Sequence, residues 1–418
     1  MGRRARFLLL LLFCALPVAA QTEDGGRPVR QADETSAIQS LERKLDELLR
    51  QAEEIHQELQ KLRPPSDDLT QVEEVQAPAT APAIETVQTI DNQVAPGASR
   101  ALNPDMSVIG TFVGHGGDVN EFEARGPMEL GEVELAIEAF IDPYAKGRFF
   151  IAVGPEEVEL EEGYAQFIAL PWDLTAKAGK TKATFGKANT WHTHTRPWVD
   201  QPLILTRFFG DEGLGDIGVS VSRPIANPFG AFIEATGEVY SGDVEEVFGR
   251  QADNDLFYNA HLKFFRDITE NSNIEVGTSW ARGTLPDAVG HNRFAGVDVT
   301  YRWKPLQRSI YNSFILRFEG LANRRADFDD TLRGHYLSAD YQFARRWFTG
   351  VRFDSAERLF EDARARDRAL SATLTFWPSE FSQVRGQFRR TRLGGGPSIN
   401  EFLLQLQFAI GAHGAHVF

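Results

Sequence analysis

The sequence predicts an all-β transmembrane barrel of antiparallel strands, about 16 in number, preceded by an N-terminal α-helical coiled coil. Three observations carry this reading. Short segments of residues 102–418 alternate between apolar and polar positions, and their connections are short and long by turns. After the first 20 residues, no apolar stretch reaches the ~18 to 20 residues of a membrane helix.

The alternation is clearest in 401–418, where Phe402, Leu404, Leu406, Phe408 and Ile410 interleave with Leu403, Gln405, Gln407 and Ala409. Such a strand turns its apolar face to lipid and its polar face to a lumen. The aromatic Phe418 is the expected assembly signal, to be read by the barrel assembly machinery of the outer membrane. Similar segments run over 132–141, 144–154, 160–170, 175–185, 232–240, 294–303, 313–321, 337–343, 369–377 and 381–390.

Tight turns are expected at Asp142-Pro143-Tyr144, 170–173, 223–228, Ala344-Arg345-Arg346 and Trp377-Pro378-Ser379. Longer polar or Gly-rich loops fall near 115–130, 187–214, 241–255, 282–292, 355–367 and 392–400. This is the asymmetry of short periplasmic turns and long outer loops. A short outer connection at 154–158 and a long inner one at 304–312 are its exceptions. An even strand count puts both ends of the barrel on the periplasmic side, and the coiled coil with them. Trp172, Trp303, Tyr341, Trp347 and Trp377 lie near strand ends, where interfacial girdles belong.

Residues 1–20 read as a secretory signal peptide, with Arg3, Arg4 and Arg6, an apolar run over 7–16, and Val18-Ala19-Ala20 before the cut. The single cysteine, Cys14, lies in that run, so the mature chain is expected to have no thiol, disulfide or thiolate metal site. A linker at 21–35 precedes the coiled coil at 36–63, whose apolar positions Ile38, Leu41, Leu45, Leu48, Ala52, Ile55, Leu59 and Leu62 keep a strict 3-4 spacing. Self-association follows, with a trimer as one candidate. Pro64-Pro65 ends the helix, and 64–101 reads as a Pro-rich disordered linker ahead of the barrel at 102–418. The formal net charge is −15, and about −18 once the three leader arginines are removed, which argues against nucleic acid as a partner.

Strand phase assigns side chains to the lumen. With Val384, Gly386 and Phe388 toward lipid, Arg385 and Arg389 point inward, and the same phasing turns Arg352, Asp354, Arg317, Glu319, Asp298 and Arg302 inside. Charges of both signs suit a wet channel, since a charge on the lipid face costs ~2–4 kcal/mol at mid-bilayer. The long connection at 187–214 is unusually aromatic, with Trp191, Trp198 and an apolar run over 203–209, and would be poorly solvated outside. It is expected to fold into the lumen, with Arg196, Asp200, Arg207, Asp211 and Glu212 as constriction charges. His192 with His194, and His413 with His416, have spacings that can bind zinc or copper, but no carboxylate motif accompanies them. The acidic run around Glu159, Glu161 and Glu162 reads as a solvated face or a cation lure at the mouth. There is no G-x-S-x-G, H-E-x-x-H or phosphate loop, so no catalytic residues, enzyme activity or cofactor are expected.

As a set, Asn103-Pro104-Asp105-Met106-Ser107-Val108-Ile109-Gly110, Leu160-Glu161-Glu162-Gly163-Tyr164, Phe185-Gly186-Lys187, His194 through Pro197-Trp198 and Gly411-Ala412-His413-Gly414-Ala415-His416 carry a resemblance. They resemble a poorly characterised family of porin-like Gram-negative outer-membrane barrels, sometimes described as zinc-regulated outer-membrane receptors. The resemblance spans 102–418 and implies a porin-like barrel. A receptor energised from the inner membrane would need a plug domain and ~22 strands, for which this region has no room. The expectation is an outer-membrane channel for passive diffusion of small polar solutes or ions, surrounded by outer-membrane lipid. A structural anchor gripping the cell wall through the coiled coil, and a zinc-linked uptake protein, are the alternatives.

Overall fold

Each alternating segment buries one face and leaves its backbone groups to pair sideways, and the pairing closes on itself. The strands are β1 (Asp105–Gly117), β2 (Met128–Asp142), β3 (Ala145–Val153), β4 (Val158–Leu170), β5 (Leu174–Lys182), β6 (Gly215–Pro224), β7 (Phe232–Tyr240) and β8 (Phe257–Thr269). They continue as β9 (Ser272–Thr284), β10 (His291–Trp303), β11 (Ser313–Arg325), β12 (Leu332–Ala344), β13 (Trp347–Glu357), β14 (Arg366–Ser379), β15 (Ser382–Arg392) and β16 (Ser398–Gly411). All neighbours are antiparallel and β1 pairs with β16, with Thr111 opposite Gln407, so no edge is left open.

This computed structural model describes residues 104–411 except 120–125, 155–156, 245–246, 251, 253–254, 287–288 and 360–364, together with Arg50. Two compact units are distinguished. The first is Met1–Ile84, in which Arg50 is helical, and the second, Glu85–Phe418, contains the barrel. The expected signal peptide, both linkers, the coiled coil apart from Arg50, His413, His416 and Phe418 lie outside the described residues. Among the described residues, no helix is long and apolar enough to cross a membrane.

The pleat sorts residues as its period requires. In β16, Phe402 and Ile410 are 61% and 63% exposed on the outside, while Leu403, Gln405 and Gln407 are buried inside. Phe149, Val219, Leu262, Val297, Leu337 and Leu374 continue this exposed apolar belt around the wall. An apolar patch of that extent suits contact with lipid rather than water.

One end of the barrel carries tight turns and the other carries loops, which we call the turn end and the loop end. Outward aromatics Tyr144, Trp172, Tyr341, Phe343, Trp347 and Phe381 cluster at the turn end. The expected turn at Trp377-Pro378-Ser379 is displaced, because β14 runs on to Ser379 and the chain reverses at Glu380-Phe381. A register shift between Phe376 and Ser379 accommodates Pro378, which has no N–H to give the ladder.

A second irregularity places chemistry. Between β3 and β4, Phe150 pairs with Glu162 and Ile151 with Leu160, leaving Glu161 as an extra residue. Such a bulge re-aims side chains and lets consecutive glutamates turn to one face. Both Glu161 and Glu162 therefore reach the lumen.

Candidate functional site

The connection from β5 to β6 enters the barrel, as its apolar content suggests. Trp198, Leu203, Ile204 and Phe208 are each 0% exposed, and the short helix α1 (Leu203–Thr206) packs against β12, β13 and β14. Phe209 lies 5.1 Å from Phe294 and 5.5 Å from Phe185 between ring centroids, and Trp198 stands edge-on to Tyr336 at 5.4 Å. Each such buried side chain contributes ~1.5–3 kcal/mol to holding the loop inside. Gly186 marks the descent. Its φ is +62°, and a Cβ there would stand 1.8 Å from Glu319 Oε1. Asn189 staples the base of the loop, donating from Nδ2 to the carbonyls of Ala183 and Leu214 and accepting from the Leu214 N–H.

Polar contacts then tie the loop to walls far apart around the barrel. The Ala188 N–H donates to Glu319 of β11 and the Thr184 N–H to Glu238 of β7. Asp200 receives Arg352 Nη2 at 2.7 Å and Arg389 Nη1 at 3.1 Å, with the Gln387 amide as a further donor. Burial alone would raise the Asp200 carboxyl, yet the two guanidinium groups hold it far below the ordinary carboxylate range. Arg385 Nη1 donates to the carbonyls of Arg196 and Trp198 at 2.9 and 3.2 Å, and Arg207 Nε to Asp367 at 2.9 Å.

Across the lumen, the loop meets β2 and β4 at His192. Its Nε2 lies 3.0 Å from Glu162 Oε2, while its Nδ1 lies 2.8 Å from Glu161 Oε2 and 3.2 Å from Glu134 Oε2. His194 Nδ1 is also 3.2 Å from Glu134 Oε2, and Thr193 Oγ1 donates to Glu132. Burial opposes charge on His192, but the surrounding carboxylates of Glu134, Glu161 and Glu162 prevail and raise its pKa to about 11. The imidazole is thus a buried cation among carboxylates at neutral pH.

These positions alter the sequence-based picture of the constriction. Asp200 and Arg207, expected as charges facing a wet passage, are 1% and 7% exposed and serve as buried anchors, because each is taken up by opposite charge on the wall. Arg196 is half-buried, whereas Asp211 and Glu212 are exposed near the end of the loop. Asp298, Glu319, Arg352, Asp354, Arg385 and Arg389 are buried on the inner face, and Arg302 and Arg317 are half-buried there. Most of these meet the loop or one another, which the phase of a strand alone does not show. The acidic run is not a simple solvated face, since Glu161 and Glu162 turn in toward His192.

Sequence reasoning passed over Glu134, Asn189, Glu238 and Asp367, whose roles arise from long-range contacts. For Glu134, its place among alternating acids at Glu132, Glu134 and Glu138 was an available signal.

No protein-family model matches the chain, and nothing found supports the description as a zinc-regulated receptor. An uncharacterized protein of Aquifex aeolicus (strain VF5) is 28% identical, covering 78% of this chain and 82% of that one. Among solved structures, a loop L8 deletion mutant of OmpT, an outer membrane protein of Vibrio cholerae, is similar with a TM-score of 0.52 and 10% identity, covering 74% of this chain and 99% of that one. A trimer form of OmpT gives 0.51 and 8%, covering 74% of this chain and 100% of that one. At such identities, the likeness shows the fold: this chain forms a closed 16-strand antiparallel barrel of the kind seen in outer-membrane proteins.

Proposed function

We propose that this chain is an outer-membrane channel for passive diffusion of small polar solutes or ions, its aperture set by the loop at 183–214. The carrying observation is that loop, drawn into a closed barrel whose turn-end interior keeps half-exposed charges of both signs. Lys263 with Glu234, and Arg148 with Glu138, line that wet half, and Arg302 stands beside Glu275, which Lys187 of the loop also holds. The exposed apolar belt and the fold shared with outer-membrane proteins support membrane residence, and the trimer form of OmpT favours a homo-oligomer. Purified protein in a planar bilayer should give stepwise conductance, and deleting residues 191–198 should enlarge each step. Absence of conductance from folded protein would overturn the channel and favour the anchor, a reading supported by loop-to-wall bonds reaching from β2 round to β15.

A second reading concerns His192. With Nε2–H donated to Glu162, the Nδ1 atom and carboxylate oxygens of Glu134 and Glu161 lie within 4.8 Å of one another. A single proton serves one directed bond there, and neither oxygen of the 2% exposed Glu134 has a well-formed hydrogen bond. A divalent cation would satisfy all three, since tetrahedral ligands on bonds of ~2.0–2.2 Å stand ~3.3–3.6 Å apart, and Glu162 would orient the imidazole. Folded full-length protein equilibrated with Zn2+ should retain about one ion per chain by metal analysis. Glu134→Gln and Glu161→Gln should each lose it; retention unchanged in both would exclude this site.

A further inference from the structure

The lipid-facing surface ends in arginine. On β9, β10 and β11, Arg282 lies directly opposite Arg293, and Arg293 directly opposite Arg324, all on outward positions at the loop end. On β14 and β15, Arg368 is directly opposite Arg392, and Arg390 follows two residues along on the same face. Arg333, exposed on β12, stands on a strand between the two groups. Directly opposed residues in an antiparallel ladder carry their Cβ atoms only ~4.5–5.5 Å apart, and like charges so placed repel. Among the described residues, the carboxylate on the outward strand faces of this band is Glu357, and it is committed to Arg366 and to the Arg333 backbone N–H. The row is therefore built with an excess of positive charge that its own strands do not neutralise.

Its height is equally specific. Ten residues separate Arg293 from Trp303, Arg324 from Phe314 and Arg333 from Phe343, and those aromatics stand at the turn end. At ~3.3 Å per residue and a strand tilt of ~40°, that span is ~25 Å, the height of the apolar band of an outer-membrane barrel. Between the two levels, the outward positions of β10 are Ala295, Val297, Val299 and Tyr301. The guanidinium groups thus lie at the level where hydrocarbon gives way to headgroups, as far from the aromatic ring as a bilayer is thick.

We infer that this arginine band is a docking surface for phosphate-bearing lipid headgroups of the leaflet at the loop end. Guanidinium forks match phosphate oxygens in pairs, and adjacent phosphates on one lipid would bridge opposed arginines and relieve their repulsion. The acyl chains of the same lipid would lie along the apolar belt below. The inference stands whether or not the barrel conducts, since it concerns only the outer wall.

The test is native mass spectrometry of the full-length folded protein, offered a bis-phosphorylated glucosamine-based lipid and its dephosphorylated counterpart. The wild type should retain the phosphorylated lipid at least tenfold more than the other. Arg293→Gln, Arg324→Gln, Arg368→Gln and Arg392→Gln combined should abolish the preference, while Arg345→Gln with Arg346→Gln at the turn end should preserve it. Millimolar inorganic phosphate should not displace the lipid, because the surface recognises headgroup and chains together. Folding is verified by heat-modifiable migration, and the pair Arg293→Gln with Arg392→Gln, expected to halve the preference or more, replaces the fourfold variant if that does not fold. Equal retention of both lipids by the wild type, an undiminished preference in the folded variant, or displacement by inorganic phosphate would overturn the proposal.

Discussion

The loop-end and turn-end halves of the lumen are walled by the same strands with the same alternation, yet they are opposites inside. In the loop-end half, Phe185, Trp198, Phe208, Phe248, Phe257 and Phe294 form a core, and ion pairs such as Arg352 with Asp200 are sealed with both side chains 0% exposed. In the turn-end half, Lys263 with Glu234 and Arg148 with Glu138 are paired at exposures of 23% to 30%. The difference comes from one connection. Where the loop at 183–214 fills the barrel, inward charges become structural; below it, where Lys187 reaching down to Glu275 is the loop's contact, the other inward charges stay near water.

The sharpest way to break this contrast is at Asp200. Removing one member of a buried charge network leaves its partners unpaired and typically costs ~3–5 kcal/mol. Asp200→Ala would remove the carboxylate that Arg352 and Arg389 share on the loop, leaving them to the wall residues Asp354 and Glu401, so the loop should detach, with protease cleavage within 191–209 accelerating and single-channel conductance rising. An Asp200→Ala protein with the wild-type cleavage rate would mean that apolar packing alone holds the loop.

How much of this was legible in the sequence follows the same division. Period-two alternation, turn spacing and the aromatic loop are local signals, and they anticipated the strands, the closed wall and the inward fold. The bulge at Glu161 was not legible, because one inserted residue breaks the period that reveals faces. The fates of Asp200 and Arg207 were hidden for another reason: their partners Arg352 and Asp367 lie on strands more than 150 residues away. A charge in an aromatic loop looks like a pore charge until the wall residue that claims it is known.

A smaller effect comes from pH at His192, tested with a chelator present. Its pKa is raised from an ordinary ~6.5 to about 11, so the proton favours the docked loop. That contribution is fully present below the unfolded value and is lost as pH climbs through the folded one. Between pH 7 and 10.5, cleavage near Thr195 should therefore increase progressively, and His192→Gln should flatten the trend. A wild-type profile flat across that range would show that the imidazolium contributes nothing to docking.

The smallest structural effect belongs to the turn-end half, and there it carries the most information. Half-exposed ion pairs contribute only ~0–1 kcal/mol, so Lys263→Gln and Arg302→Gln should leave heat-modifiability and loop cleavage unchanged. Each still removes a positive charge from a confined aqueous wall, where screening over ~8 Å at physiological salt is incomplete. Reversal potentials under a KCl gradient should shift toward cation preference in both, and further when the two are combined. The matching substitution in the sealed half, Arg389→Gln, should do the reverse, loosening the loop while leaving selectivity to the turn end. If Lys263→Gln and Arg302→Gln shift neither stability nor reversal potential, the path of ions does not run along β8 to β10, and the wet half is not the selective one.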